Sequence, residues 1–319
     1  MTAMIENAYV CYYDVLGFTS RFISGDLSNR YEQMIEVVKG IEDRDITVFL
    51  LSDSIVVISQ DFAKFRAVTQ EFYTWGILHD FWLRGAITRG SVTQCETRLL
   101  SEPNRFVVPF LGEAYLKAYT LETTLNISGV VIDDAFFESE GSNPGFRKEI
   151  DYTVYEEYVP KRGYEGKKRL LLPKEHSLRQ VLDTMYFEQM LKSHIEDVDK
   201  YLNTFCFYIE YLLEHANPQN VALFVEKLMG EFERQGKRTL IPGKVVIIFI
   251  AVIEGLVNRY RSPDGYRYCD AGEVEQLVSR VINGLRAEGY LVPFIDGLLE
   301  FDKRRHTTLY KEINSLRLL

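Results

Sequence analysis

Asp14 and Asp53 each stand as the one acidic residue in a long apolar run, AYVCYYDVLGFTS from Ala8 and VFLLSDSIVVIS from Val48. A carboxylate in such surroundings is costly unless it is paired, hydrogen-bonded or bound to a cation. Runs of this length, rich in β-branched and aromatic residues, predict buried strands. The first breaks at Gly17, passes Phe18, Thr19 and Ser20, and enters apolar residues at helical spacing from Phe22 to Val38. That order is strand, tight turn and helix N-terminus, where free N–H groups hold phosphate. Ser52-Asp53-Ser54 interrupts the second run as the turn of a hairpin does. Neighbouring strands would bring Asp14 and Asp53 together at one end of a sheet. Two carboxylates beside a phosphate cradle make a site for Mg²⁺ or Mn²⁺ and a nucleoside triphosphate. The ordinary alternatives are an N-capping Asp and a turn Asp with no further role.

The elements that must position these residues follow from the pattern of the first half. Residues 21–39 read as a helix interrupted near Gly25-Asp26, 46–51 and 55–58 as a hairpin, 62–79 as a helix and 83–95 as a strand. The order β-α-β-β-α-β is that of a ferredoxin-like core, with its helices on one face and the other face open. Residues 103–111 predict another strand, 113–124 a helix, 130–132 a short strand, and 152–159 with 169–172 a closing hairpin. Composition changes after Pro173-Lys174. Helical patterns then cover 178–198, 201–215, 220–235, 245–259, 271–289 and 295–316. The expectation is an α+β domain over 1–174 and an all-α domain over 175–319.

With 319 residues, 46% of them hydrophobic, the chain is long enough for one large domain or two ordinary ones. A formal charge of −9 argues against broad nucleic-acid binding and against an anionic membrane surface. Cys11, Cys95, Cys206 and Cys269 are scattered, with no CxxC pair, which predicts free thiols in a cytoplasmic protein and no zinc site. The start MTAMIENAY lacks the basic-then-apolar pattern of a secretory leader. The run 245–253 is the most apolar, but Lys244 and Glu254 bound it at about half the ~20 residues of a membrane span. It reads as a central helix of a soluble bundle.

Four stretches in order carry a family resemblance. YYDVLGFTSRF resembles the first metal-binding motif of class III nucleotidyl cyclase catalytic domains, and LLSDSIVV the hairpin that brings their second metal Asp. LRGAITRGSV from Leu83 is similar to their next strand, and FLGEAYLKAYTLE from Phe110 to their Gly-led helix ending in Leu-Glu. The wording is most similar to the pyrimidine cyclases of Pycsar antiphage systems. The resemblance covers residues 8 to 135. It implies that Asp14, Asp53 and the Val15 carbonyl hold two Mg²⁺ or Mn²⁺ ions, and that the N–H groups of Gly17, Phe18 and Thr19 bind the β- and γ-phosphates. It also implies a homodimer with sites at the interface, and a separate effector reached only through the cyclic nucleotide.

The rest of the site departs from the family. Leu116 falls where an Asn usually orients the ribose, and Thr120 where an Arg usually stabilises the transition state. Lys117 and Arg89 are the available substitute cations; Arg84 is another, although an Arg opening a strand is more often a surface or structural residue. Phe49 and Pro109 occupy the two base-selecting positions, and neither can read a purine edge by hydrogen bonding. This favours a pyrimidine, UTP or CTP, with UTP preferred. The alternatives are an inactive cyclase-like dimeric nucleotide sensor, a purine (cAMP or cGMP) cyclase, or another palm-type enzyme such as a diguanylate cyclase or polymerase. Removing either Asp is expected to abolish turnover while apo stability holds or rises, since like charges repel.

Overall fold

β1 (Thr2–Val15) runs through the middle of the sheet, with β3 (Ser54–Ser59) antiparallel on one side and β4 (Leu83–Cys95) antiparallel on the other. Its apolar run follows from that position: Ala8 through Tyr13 are all buried, because both faces and both edges are covered. β2 (Ile46–Leu51) pairs with β3, and helices α1 (Ser28–Lys39) and α2 (Phe62–Leu78) make the two connections. Chain order β1-α1-β2-β3-α2-β4 with sheet order β2-β3-β1-β4 is the ferredoxin-like α+β core. The computed structural model describes residues 2–16, 18, 28–79, 81–95, 98–99, 106–107, 110–125, 127–133, 136, 169–171, 204, 206, 209, 213, 218–235, 242–261, 271–305 and 307–315.

Beyond the core come β5 (Arg98–Leu99), β6 (Phe106–Val107), β7 (Phe110–Leu111), α3 (Glu113–Glu122), β8 (Val130–Ile132) and β9 (Arg169–Leu171). β8 lies parallel to β4 and β9 antiparallel to β8. The strand expected over 103–111 is two short pieces, β6 pairing with β5 and β7 with β4. The expected strand 152–159 and helix 178–198 lie outside the described residues, as does most of 201–215.

The two faces of the sheet are covered differently. Side chains alternate along a strand, so Tyr9 and Tyr13 point one way and Tyr12 and Asp14 the other. On the first face Tyr9 packs on Phe62 and Phe65 of α2, and the Tyr13 hydroxyl donates to the Thr69 carbonyl at 2.7 Å. On the second face Tyr12 meets Tyr115 and Tyr119 of α3 edge-on, with ring centroids 5.8 and 5.5 Å away. The expected open face is therefore partly occupied by the chain itself: α3 lies over β1 and β4, while Thr47 and Phe49 on β2 stay half-buried and Leu51 exposed. Gly112 allows α3 its close entry. A Cβ there would lie 2.5 Å from the Ser91 carbonyl oxygen.

The chain separates into two compact units, Met1–Ser177 and Leu178–Leu319. In the second unit the described helices are α4 (Pro218–Gln235), α5 (Pro242–Arg261), α6 (Ala271–Ala287), α7 (Leu291–Arg305) and α8 (Leu309–Ser315). α5 carries the apolar run, and Val245, Ile248, Phe249, Val252 and Ile253 are buried. No helix among the described residues is long and apolar enough to cross a membrane. The single helix expected over 295–316 is two. Asp302 accepts the N–H groups of Leu309 and Tyr310 at 2.9 and 2.8 Å, so its carboxylate satisfies the start of α8 and separates it from α7.

Candidate active site

Strand register brings the two acidic residues together. Asp14 stands opposite Ser54 on β3 and Arg84 on β4, and Ser54 closes the hairpin opposite Leu51. Ser52 and Asp53 form the turn between them. The Val15 N–H donates to the Asp53 carbonyl oxygen at 2.8 Å, which bonds the turn to the residue following Asp14. Ser52 sits at φ 37°, in the left-handed region. Such a backbone costs a non-glycine residue about 1–2 kcal/mol. Its Oγ donates to Asp53 Oδ1 at 2.8 Å and orients that carboxylate.

Asp14 shares its face with a row of side chains set by the same register. Leu51, Ser54, Asp14 and Arg84 lie across the sheet in one row; Phe49, Val56, Tyr12 and Ala86 form the next. Phe49 is thus on the Asp14 face, one row away, and only half-buried. The Tyr12 hydroxyl lies 2.9 Å from Ser54 Oγ. Burial pushes that hydroxyl up to about 12; the bond to Ser54 works against the rise, and the Asp14 and Glu122 charges add to it. Tyr31 is also pushed up, chiefly by burial and further by the charge of Asp53. Phe18 packs toward Tyr31, with ring centroids 6.1 Å apart.

Arg84 organises one flank of the site. Its Nη2 lies 3.2 Å from Asp14 Oδ2, its Nε pairs with Glu122 Oε1, and its Nη1 donates to the Leu125 carbonyl at 3.2 Å. The Arg84 side chain is 13% exposed and that of Glu122 3%, so this pair is shielded from water. The sequence offers Arg84 only as one of three candidate cations and does not single out Glu122. Glu122 ends the Leu-Glu helix motif, and Arg84 opens a strand, but their meeting with Asp14 depends on cross-strand register.

Arg89 is not brought to the acidic pair. It stands opposite Tyr9 in β1, on the α2 face, with its guanidinium carbon 5.2 Å from the Tyr9 ring centroid. The alternation that points Arg84 and Thr88 toward α3 sends Arg89 the other way. Lys117 is on α3, but its Nζ pairs with Asp133 Oδ2 at 2.6 Å, and Asp133 is buried just beyond β8. Lys117 is therefore a tether between α3 and the end of β8 in this chain. Leu116 and Thr120 point outward from α3, with Leu116 55% exposed. Gly17, Thr19 and Pro109 lie outside the described residues.

The donors present suit a hard cation. Asp14, Asp53 and the Val15 carbonyl offer oxygen only. Among the described residues there is no group of three or more His, Cys, Asp or Glu that could hold a metal ion. Such a set fits Mg²⁺ or Mn²⁺ held by two carboxylates together with the phosphates of a substrate. A depression bordered by Ile5, Arg44, Asp45, Ile58, Gln60 and Asp61 lies at the far end of β2 and β3 from Asp53 and includes neither Asp14 nor Asp53.

No protein-family model matches the chain, and no curated protein matches it. Similar solved structures include an adenylate cyclase from Trypanosoma brucei in its monomeric state, at 16% identity and a TM-score of 0.35, covering 51% of this chain and 86% of that one. The adenylyl cyclase CyaB from P. aeruginosa is similar at 14% identity and a TM-score of 0.34, covering 55% of this chain and 98% of that one.

Proposed function

We propose that the chain is a nucleotidyl cyclase that converts a pyrimidine nucleoside triphosphate, UTP in preference to CTP, to its 3′,5′-cyclic nucleotide and pyrophosphate. The observation that carries this reading is the hydrogen bond from Val15 to Asp53, which holds the hairpin turn beside Asp14 at the open end of the sheet. The four motifs in order support the reaction class; half-buried Phe49 on the Asp14 face supports a small base. The similarity to Pycsar cyclases supports a role in antiphage defence through a separate effector.

In the reaction the ribose 3′-oxygen attacks the α-phosphorus, the bond to the bridging oxygen breaks, and pyrophosphate leaves. Asp14, Asp53 and the Val15 carbonyl would hold two divalent cations, which would supply a lower pKa for the 3′-hydroxyl and charge neutralisation for the triphosphate. The resemblance assigns the N–H groups of Gly17, Phe18 and Thr19 to the phosphates. It also assigns Phe49 and Pro109 to the base. Bringing nucleophile and phosphorus into line is the larger part of the task in such a reaction. The second half of each site comes from another copy in a homodimer. Leu116 and Tyr119, 55% and 48% exposed on α3, offer that copy an apolar surface.

The test is incubation of the purified chain with each of the four nucleoside triphosphates and Mn²⁺, resolving cyclic product and pyrophosphate. Cyclic UMP as main product is expected. A purine product overturns the base assignment. Nucleotide binding with no turnover favours the sensor reading, to which Leu116 and Thr120, standing in place of the family's Asn and Arg, lend support.

A further inference from the structure

The mechanism above leaves Arg84 and Glu122 without a task, although both are buried and lie beside the first acidic residue. Arg84 reaches three groups on two elements: the Asp14 carboxylate at the end of β1, Glu122 in the last turn of α3, and the Leu125 carbonyl just after it. The guanidinium therefore stands between two carboxylates. Its planar fork can serve both at once, which a lysine ammonium cannot do with the same fixed geometry.

We infer that Arg84 is a positioning residue that stands in for cation charge at Asp14, and that Glu122 sets how tightly it does so. The inference rests on the reading of Asp14 as a cation ligand. A guanidinium 3.2 Å from Asp14 Oδ2 repels a divalent ion approaching the same carboxylate and competes for that oxygen. Glu122 draws the guanidinium the other way, toward α3. Its negative charge offsets that of Arg84, so Asp14 keeps the net attraction that a cation needs. Neutralising Glu122 leaves Asp14 the stronger anchor for Arg84 and weakens cation binding from a helix that does not touch the ion. Removing both charges takes away the competitor and strengthens it. Cation binding at Asp14 is thereby coupled to the C-terminal turn of α3, the helix that also carries Leu116, Lys117 and Thr120.

The experiment is Mn²⁺ binding to the full-length chain without nucleotide, followed by electron paramagnetic resonance of the free ion, with Asp14→Ala defining the binding that belongs to this site. Glu122→Gln keeps shape and an acceptor oxygen; its Mn²⁺ affinity is expected to fall at least about fivefold, the lower end of ordinary coupling between sites. The double variant Arg84→Met, Glu122→Leu replaces the buried pair by apolar groups of similar size, a change such pairs often tolerate. Its affinity is expected to rise above that of the wild type. The opposite signs separate the inference from general loosening of the fold, which lowers both affinities. Should Glu122→Gln fail to fold, a rise in the double variant still supports the inference and no rise overturns it. Wild-type binding that depends on Asp14, with unchanged affinity in both variants, overturns the inference alone. No Asp14-dependent binding in the wild type overturns the cation-site reading with it.

Discussion

The Val15 amide is bonded to the Asp53 carbonyl oxygen at 2.8 Å, so the hairpin turn and the end of β1 are one unit. Two residues 39 positions apart in sequence, Asp14 and Asp53, are placed together by main-chain bonding rather than by their own side chains. Their positions therefore do not depend on each other's charge.

Asp14→Ala and Asp53→Ala are each expected to abolish cyclase turnover, and their stabilities should differ. The sequence alone predicted unchanged or higher apo stability for both, from relief of like-charge repulsion. Asp14 is paired with the shielded Arg84, so its loss removes a charge-assisted bond worth about 1–3 kcal/mol and should lower Tm. Asp53, in the turn and bonded to Ser52, should keep Tm close to wild type on mutation. Thermal melts beside product assays check both; full turnover in either variant would falsify the site.

Phe49→Ala separates a base-pocket residue from a packing residue. A lost aromatic stack is worth ~1–3 kcal/mol, which predicts roughly a tenfold to hundredfold fall in kcat/KM for the preferred pyrimidine. Because Phe49 is half-buried, the loss of Tm should be smaller than for a core Phe. Rates on all four nucleotides, with melts, decide the matter. An unchanged preference ratio with a large drop in Tm would leave Phe49 as packing alone.

Lys117 and Asp133 should show coupling in a double-mutant cycle. Lys117→Met strands the buried Asp133 carboxylate, while Asp133→Asn removes the charge that needs a partner. A coupling energy of about 0.5–3 kcal/mol is expected in denaturant unfolding. Additive effects within error would mean that the ion pair is not formed in solution.

Tyr12 ties stability to alkaline pH. Its hydroxyl ionises near 10 in the unfolded chain and about 12 in the fold, so between these values the folded state binds the proton more strongly. The stability it contributes is complete below pH 10 and is lost as pH rises toward 12. Tyr12→Phe should flatten this part of the stability–pH curve, measured by denaturant unfolding at closely spaced pH. An identical slope in the variant would exclude Tyr12 as the source.

Much of the core was legible from local pattern. Asp14 and Asp53 stood out because a carboxylate inside an apolar run needs a reason, and Ser52-Asp53-Ser54 read as a hairpin turn because two strand patterns flank it. Strands 46–51, 83–95 and 130–132 and the start of the helix at Glu113 followed from period, turn residues and Gly112. What local pattern does not contain is which strand lies beside which, and in what register. Alternation along β4 is visible in sequence, but only pairing with β1 decides that Arg84 meets Asp14 while Arg89, five residues on, meets Tyr9 on the far face. The same holds for Lys117, whose pairing with Asp133 no local pattern announces. A strand's side-chain period of two divides its residues between faces without saying which face holds the site. That choice is made by main-chain hydrogen bonds between segments distant in sequence, and they form only when the sheet assembles.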